Sequence, residues 1–529
     1  MANRSLFSNQ QTSVNKPATD TVNEAGGVAY QRGPKEALAQ LAVTGCFNQT
    51  FYTDGTEQLD QVLQAAMACE PAFVAKVAIY ARHKGFMKDM PAALVAHLAT
   101  RDSEIFRDTF PKVIDNGKMI RNFVQIVRSG VLGRKSLGHA PKRMVREWLQ
   151  GQSVERLFWN STGNNPSMGD VIRLSHPKPG EGEQEAMFER LMGYDSHKEN
   201  LPPFIHTYDA FRADPLGKML PKRVPFEMLT GLKLSEQQWR DLARQATWQQ
   251  ARMSLNKFQK QGILDKDGFT GELARKLENP EAILKARAMP YQLLAAFKHA
   301  DKVPTKIKLA LQAALEVATR NVPKIDGKVF VCVDCSGSMG AAITGKRKGA
   351  TSKVQCLDVA ALFAAAIVRK NPEAVVLPFH EHVVEFEFNP LDSVMTITDQ
   401  ISQLPSGGTN CSAPMRRIAD QVSREKGPVS VIFVSDYESW MDSKGNTRPG
   451  WYSARSTGMM EEWERIQRAT GRKSKLACID VTPHTTTQAI NRPDIINVGG
   501  FNDSVFSVIS AFLNSSKDWT TIIEEFALS

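Results

Sequence analysis

Apolar positions divide this chain into two halves with different periods. From Pro34 to His97 they recur mostly every three or four residues: Ala37, Leu38 and Leu41, then Leu59, Val62, Leu63 and Ala66, then Phe73, Val77, Ile79 and Tyr80. That spacing puts one apolar stripe on a helix, so helices are expected here, with breaks at Thr44 to Gly55, Glu70 to Pro71 and Lys84 to Pro91. The same period predicts helices within Ile105 to Val127, Met144 to Leu149, Trp239 to Leu255 and Ile307 to Ala318. Almost no strand pattern precedes Val329. A stack of helical hairpins over residues 24–324, HEAT-like in its pairing, is therefore expected, behind a polar, flexible tail at residues 1–23.

Beyond the Pro- and Gly-containing linker Asn321 to Lys328, the pattern changes. Continuous apolar runs at Val329 to Asp334 and Val429 to Asp436 read as buried parallel strands. Ala374 to Phe379 and Val383 to Phe388 read as a hairpin-like pair of strands, and Lys475 to Asp480 and Ile495 to Val498 as later ones. Helices are predicted at Asp358 to Lys370, Met415 to Glu425, Met459 to Thr470 and Val505 to Leu513. This alternation predicts a doubly wound α/β domain over residues 325–529. The fold class is thus a helical array followed by a Rossmann-like domain.

The strand ends carry candidate chemistry. VFVCVDCSGSM (Val329 to Met339) passes from strand to loop at Asp334 and spells D-x-S-x-S. In open α/β sheets the carboxyl ends of the strands face the ligand crevice. One carboxylate and two hydroxyls are hard oxygen donors suited to Mg2+ or a similar divalent cation. Thr409, in the glycine-rich SGGTNCS, and Asp436, ending VSVIFVSD, supply further oxygens. Asp334, Ser336, Ser338, Thr409 and Asp436 resemble the five positions of the metal-ion-dependent adhesion site of von Willebrand factor A domains. The plainer alternative is that Asp and Ser here only cap a helix.

Composition narrows the class. The chain has 529 residues, 42% hydrophobic and 23% charged, which is ordinary for soluble globular protein and too long for one core. Met1 to Pro17 lacks the apolar centre of a secretory signal, and the longest apolar run, Val359 to Val368, is short for a membrane span. A cytosolic protein is expected. The seven scattered cysteines fit reduced thiols, and Cys332 and Cys335, despite their C-x-x-C spacing, fit core packing. His380 and His382, two apart on an expected strand, suit packing or surface roles, since no third ligand is apparent. A Ser-His-Asp set, a phosphate loop and a paired acidic cluster are all missing, so a non-catalytic protein is expected.

The net charge of +10 is unevenly placed. Residues 1–324 hold 45 Lys and Arg against 33 Asp and Glu, whereas residues 325–529 hold 21 against 23. The basic excess lies wholly in the helical half, as expected where a polyanion binds, although a merely soluble surface would look the same. Within it, Val127 to Leu149 carries Arg128, Arg134, Lys135, Lys142, Arg143 and Arg146, with Lys142 and Arg146 on one helix face. After a loop ending at a helix-starting Asp170, Arg173, His176 and Lys178 lie in VIRLSHPKP, suited to phosphates and an unpaired base. Thr344 to Lys353 forms a further basic loop beside the metal residues.

The combination resembles the Ro autoantigen family, whose helical module is called TROVE, in its bacterial RNA-binding form. Matching segments are NEAGGVAY (Asn23 to Tyr30), GCFNQTFYTD (Gly45 to Asp54), GDVIRLSHPKP (Gly169 to Pro179), ARAMPYQ (Ala286 to Gln292), the metal loop, LPSGGTNCSAP (Leu404 to Pro414) and FVSDYESW (Phe433 to Trp440). The resemblance implies a HEAT-repeat ring closed by the metal domain. Small noncoding Y RNAs would bind the outer basic surface, and single-stranded 3′ ends of misfolded RNAs would enter the central hole. It assigns His176 to Y RNA binding, places Lys142 and Arg143 in the basic helical region, and implies work alongside an exoribonuclease in RNA maturation or decay. The expected protein is a monomeric scaffold; the alternative is a metal-dependent protein-interaction scaffold without a primary RNA role.

Overall fold

The computed structural model describes residues 18–44, 55–163, 165–264, 268–343, 352–425, 427–442, 445–447, 456–482, 486–490, 492–501, 505–514 and 519–526. The segment Gly45 to Asp54, most of the tail and the basic loop up to residue 351 lie outside them.

The helical half begins with α1 (Pro34–Thr44), α2 (Gly55–Met67), α3 (Pro71–His83), α4 (Asp89–Arg101), α5 (Ser103–Val113) and α6 (Gly117–Arg128). The expected break at Glu70 to Pro71 falls between α2 and α3, the one from Lys84 ends earlier than expected because α4 already begins at Asp89, and the one at residues 45–54 lies outside the described residues. α7 (His139–Gln150), α8 (Val154–Asn160), α9 (Met168–Ser175), α10 (Glu183–Met192), α11 (Pro203–Ala213) and α12 (Phe226–Leu229) follow. α13 (Glu236–Gln245), α14 (Trp248–Met253), α15 (Leu255–Lys260), α16 (Phe269–Glu278), α17 (Pro280–Lys285), α18 (Pro290–His299) and α19 (Thr305–Ala318) complete the half. The helical pattern expected over Trp239 to Leu255 is interrupted at 246–247, where Thr247 starts a new helix by accepting a hydrogen bond from Gln250 N at 3.2 Å. Helices near one another in sequence pack as neighbours, α3 on α4 and α5, and α16 on α19.

The short strands β1 (Thr21–Val22) and β2 (Val28–Gln31) precede α1. β3 (Lys328–Asp334), α20 (Cys356–Lys370), β4 (Val375–Phe379), α21 (Val394–Ser402), α22 (Ser412–Glu425) and β5 (Val429–Ser435) open the second half. It continues through β6 (Met441–Asp442), β7 (Gly445–Asn446), α23 (Gly458–Ala469), β8 (Lys475–Asp480), β9 (Thr486–Thr487), β10 (Ile495–Gly499), α24 (Val505–Leu513) and α25 (Trp519–Glu524). Five strands form a parallel sheet in the order β10-β8-β5-β3-β4. From β3 the chain moves outward to β4, then returns to the other side of β3 and proceeds outward through β8 to β10. The strand order therefore reverses between β3 and β5, which makes their carboxyl ends the crevice of this sheet.

Three expectations need correcting. Val383 to Phe388 is not a strand: only Val383 bridges back to Phe379, and Val384 N donates to Pro378 O at 2.8 Å. Pro378 offers no N–H to an outer neighbour, so β4 ends the sheet as an edge strand, and Phe386 and Phe388 fold down on the core instead. His380 and His382 consequently lie in a turn after β4, with their rings 4.3 Å apart, and not on a strand. The tail is not free up to residue 23, and strands do precede Val329: β1 pairs with β2, and β2 pairs with β9, so the start of the chain is built into the second half.

The two halves share one apolar core. Val331, Val333, Ile432, Val434, Ala477 and Ile479 face the same cluster as the helical array, whereas Phe330, Cys332, Phe433 and Cys478 face α22 and α23. Cys332 and Cys335 are fully buried and pack as expected. At its start the array meets the α/β half through α1 against β10, and at its end through α18 and α19 against α20 and α21. Lys298 reaches the buried Asp358 at 2.9 Å, and Glu316 accepts from both Arg369 (3.0 Å) and Val394 N (2.6 Å). α25 turns back onto α3, where Lys76 Nζ donates to Glu524 O at 2.7 Å and the Tyr80 and Phe526 rings meet edge-on at 5.3 Å. The array thus starts and finishes on the same α/β unit. Among the described residues no helix is long and apolar enough to cross a membrane.

Candidate metal centre and nucleic-acid interface

Asp334 ends β3 at the order reversal and is wholly buried. Its Oδ1 accepts from Ser336 N at 2.7 Å, which curls the loop so that the Ser336 and Ser338 hydroxyls lie 3.3 Å apart. Oδ2 accepts from the Ser435 hydroxyl of β5 at 2.5 Å. Both donors are neutral. Burial, and then the charge of nearby Asp436, push the Asp334 carboxyl up to about 7 from its ordinary value.

The other loops are tied to this one by backbone bonds. Gly337 N donates to Gly407 O at 3.1 Å, bringing the Thr409 loop alongside, and Asn410 N donates to His380 O at 3.0 Å. Ser439, just past Asp436, accepts from Cys411 N at 3.2 Å and donates to Thr409 O at 3.1 Å. Ser336, Thr409 and Asp436 are buried and Ser338 is half-buried. The five expected residues therefore lie on three interlinked loops at one edge of the sheet. Their atoms are all hard oxygens, and Asp334 and Asp436 repel each other, a set that a divalent cation fits and a soft metal does not. The helix-capping alternative finds no support: the 3-10 turn Gly337–Gly340 begins after Ser336 with no side-chain capping bond, and α20 is capped by Gln355 with Asp358.

Two residues the pattern did not single out complete this edge. Ser435 positions Asp334, and its place just before Asp436 was a visible signal. Arg32, arriving before α1, pairs with Asp480 at the end of β8 at 3.0 Å with both side chains about 1% exposed. No local pattern could have matched residues so far apart in sequence. His380, Glu381 and His382 can bring one ligand atom each within 4.8 Å of the others. However, His380 Nδ1 accepts from Glu381 N at 2.7 Å, so in the neutral ring Nε2 carries the proton. That turn instead supports the Thr409 loop, with Gly407 against the His380 ring.

In the helical half, α7 packs on α9. Arg146 Nε donates to Ser175 O at 2.5 Å and Gln150 Nε2 to Lys178 O at 2.7 Å, so the basic helix and the tripeptide His176-Pro177-Lys178 share one surface. α9 starts at Met168 and not at Asp170. Ser167 is its cap and Asp170 the third residue of a capping box. His176 ends the helix in a left-handed conformation (φ 52°) with its side chain exposed, and Arg173 and Lys178 are exposed as well.

The remaining basic residues differ in how freely they can meet a ligand. Lys135 is exposed and Lys142 half-buried. Arg143 is exposed but pairs with Glu147 at 2.7 Å, and Arg173 pairs with Asp170 at 3.4 Å and also reaches Met192 O. Arg134 bends back onto its own loop, donating to Ser136 O at 3.1 Å and Leu137 O at 2.6 Å. It shapes the turn into α7, in which Gly130, Gly133 and Gly138 all take positive φ.

A helical array that begins and ends on a parallel α/β domain, with hard oxygens at that domain's order reversal, defines a von Willebrand factor A domain closing a helical scaffold. The family model for the Ro60 vWA domain matches residues 328–448. The chain is 22% identical to the RNA-binding protein RO60 of Deinococcus radiodurans, over 94% of this chain and 97% of that one. Its fold matches the crystal structure of the Ro (RSR) protein of the same organism with a TM-score of 0.65 and 18% identity, covering 91% of this chain and 99% of that one. Residues 328–448 thus match a Ro60-type von Willebrand factor A domain, and the chain as a whole is similar in sequence and fold to these Ro proteins.

Proposed function

We propose that this chain is an RNA-binding scaffold that takes up small noncoding, Y-like RNA on the α7–α9 face of its helical half. It would also take single-stranded 3′ ends of misfolded RNA, working in the cytoplasm in RNA quality control, processing or decay beside an exoribonuclease. The observation that carries this reading is the joint between α7 and α9. Through Arg146 and Gln150 it sets α7, which carries Lys142 and Arg143, against the His176-to-Lys178 turn that ends α9. Lysines and arginines there would hold phosphates, giving a salt-dependent affinity, and the exposed His176 imidazole would stack on or bond to an unpaired base. The similarity to an RNA-binding relative over nearly the whole chain supports the same reading. No side chain on this face need act as acid, base or nucleophile for such a role.

At the sheet edge, Asp334, Ser336, Ser338, Thr409 and Asp436 would hold a divalent cation, Mg2+ by their chemistry. A bound ion would neutralise the two carboxylates and offer an open position to an acidic group of a protein partner. This is the specific support for the second reading, a metal-dependent protein-interaction scaffold. The readings separate on two variants. Replacing His176 and Lys142 together by alanine is expected to weaken binding of a structured small RNA at least tenfold while protein capture survives. Asp334→Ala is expected to do the reverse. An unaltered RNA affinity in the double variant rejects this face as the RNA site.

A further inference from the structure

The segment NEAGGVAY is not accounted for by RNA or cation binding, yet it touches the loop that follows one proposed cation ligand, Asp436, and through it reaches the loop of a second, Thr409. Asn23 is buried, and its amide works in both directions. Oδ1 accepts from Gly27 N at 2.7 Å, closing a tight loop, and Nδ2 donates to Ser439 O at 2.8 Å and Tyr437 O at 3.5 Å. Ala25 N donates to the buried Glu438 carboxylate at 2.8 Å. Gly27 lies so close to the same backbone that an added Cβ would sit 2.0 Å from Ser439 O. Five residues of the N-terminal segment thus cover three consecutive residues following Asp436.

The covered stretch is held in an unusual conformation. Tyr437 has φ 58°, a left-handed conformation that a bulky residue adopts only when its surroundings hold it there. It turns the chain sharply just after Asp436 and delivers Ser439 to Thr409 O and Cys411 N. A continuous path therefore runs from Asn23 through Ser439 to the Thr409 loop, and from Asn23 through Tyr437 to Asp436. Beyond the segment, Arg32 anchors the chain on Asp480 two residues before α1 begins at Pro34.

We propose that residues 23–27 are a strap that positions Thr409 and Asp436 for the cation, with Asn23 and Gly27 as its positioning residues. The inference rests on reading that edge as a divalent-cation site. Because the strap leads into α1, it also joins the helical half to the cation loops. Linkage then requires that the cation stabilise the strap as much as the strap favours the cation.

Hydrogen–deuterium exchange and Mg2+ titration calorimetry on the full-length protein test this, using wild type, Asn23→Ala, Gly27→Ala and Asp334→Ala. Both strap variants are expected to raise amide exchange at 409–411 and 437–441 at least tenfold and to weaken Mg2+ by about tenfold. Asp334→Ala is expected to abolish Mg2+ binding with the strap still protected. In wild type, saturating Mg2+ is expected to slow exchange at 23–27, a readout that needs no variant to fold. Wild-type exchange at 409–411 and 437–441 in Asn23→Ala overturns the strap, as does a strap indifferent to Mg2+ in a wild type that binds the ion. A wild type that binds no Mg2+ overturns the cation reading and with it the cation-positioning role. Exchange in the strap variants then tells whether the segment orders those loops at all.

Discussion

The Ser435 hydroxyl donates to Asp334 Oδ2 at 2.5 Å, joining β5 to β3 one residue before Asp436 leaves the sheet. The same oxygen accepts from Tyr437 N at 2.9 Å, so one side chain sets the carboxylate of one loop and the backbone of the next. Ser435→Ala removes both bonds. A hydrogen bond to a charged group contributes about 1.5–3 kcal/mol, so Mg2+ affinity is expected to fall roughly 10- to 100-fold by calorimetry. An unchanged affinity would mean that Asp334 is not a ligand.

Arg32 and Asp480 tie the chain's first strands to the end of β8 with no solvent to share the charge. Removing one partner strands the other, at a cost of about 3–5 kcal/mol. Arg32→Met is therefore expected to lower the urea midpoint strongly, and Arg32→Met with Asp480→Leu to recover most of it. A single variant as stable as wild type would show that the N-terminal strands contribute little to the second half.

His97, on α4, is buried, and its basicity is lowered by burial and then by Arg101. A histidine with a depressed folded pKa adds stability that is present above its unfolded value, about 6.5, and is lost as pH falls below it. Stability is thus expected to decline with acidification below pH 6.5 by up to about 1.4 kcal/mol per pH unit from this group. His97→Gln is expected to flatten that slope in denaturant titrations at pH 5 to 7, and an unchanged slope would assign the acid sensitivity elsewhere.

The basic face makes separable contributions. Lys135→Ala, Lys142→Ala, Arg143→Ala and Lys178→Ala are each expected to weaken RNA binding and to reduce the slope of log affinity against log salt by about one. Arg134→Ala is expected to act differently, loosening the turn into α7, because its guanidinium already serves Ser136 and Leu137. Equal effects from all five would point to a diffuse field and not a defined surface.

What could be read in the chain beforehand follows from what is local. The stripes around Leu38, Val62 and Val77 state a helix, and the run ending on Asp334 states a buried strand, because each depends on neighbours within a turn or two. Thr21 and Val22 carry no such period. They become a strand only because β2 is held by β9, more than 450 residues away. Val383 to Phe388 alternates as a strand should, but Pro378 denies it a ladder, and its two phenylalanines stack 5.5 Å apart over the core. The D-x-S-x-S loop was legible as oxygen chemistry. The partners that order it and the loops beside it, Gly407, Ser439 and Asn23, were not, since hydrogen bonds across the fold leave no spacing in the sequence.

Ultraviolet crosslinking of the full-length protein to its copurifying RNA, with the crosslinked peptides identified by mass spectrometry and the RNA sequenced, locates the RNA on the protein directly. Crosslinks concentrated in residues 134–146 and 173–178, to small structured noncoding RNA, are the expected result. Crosslinks confined to residues 328–526, or no RNA above background, would contradict it.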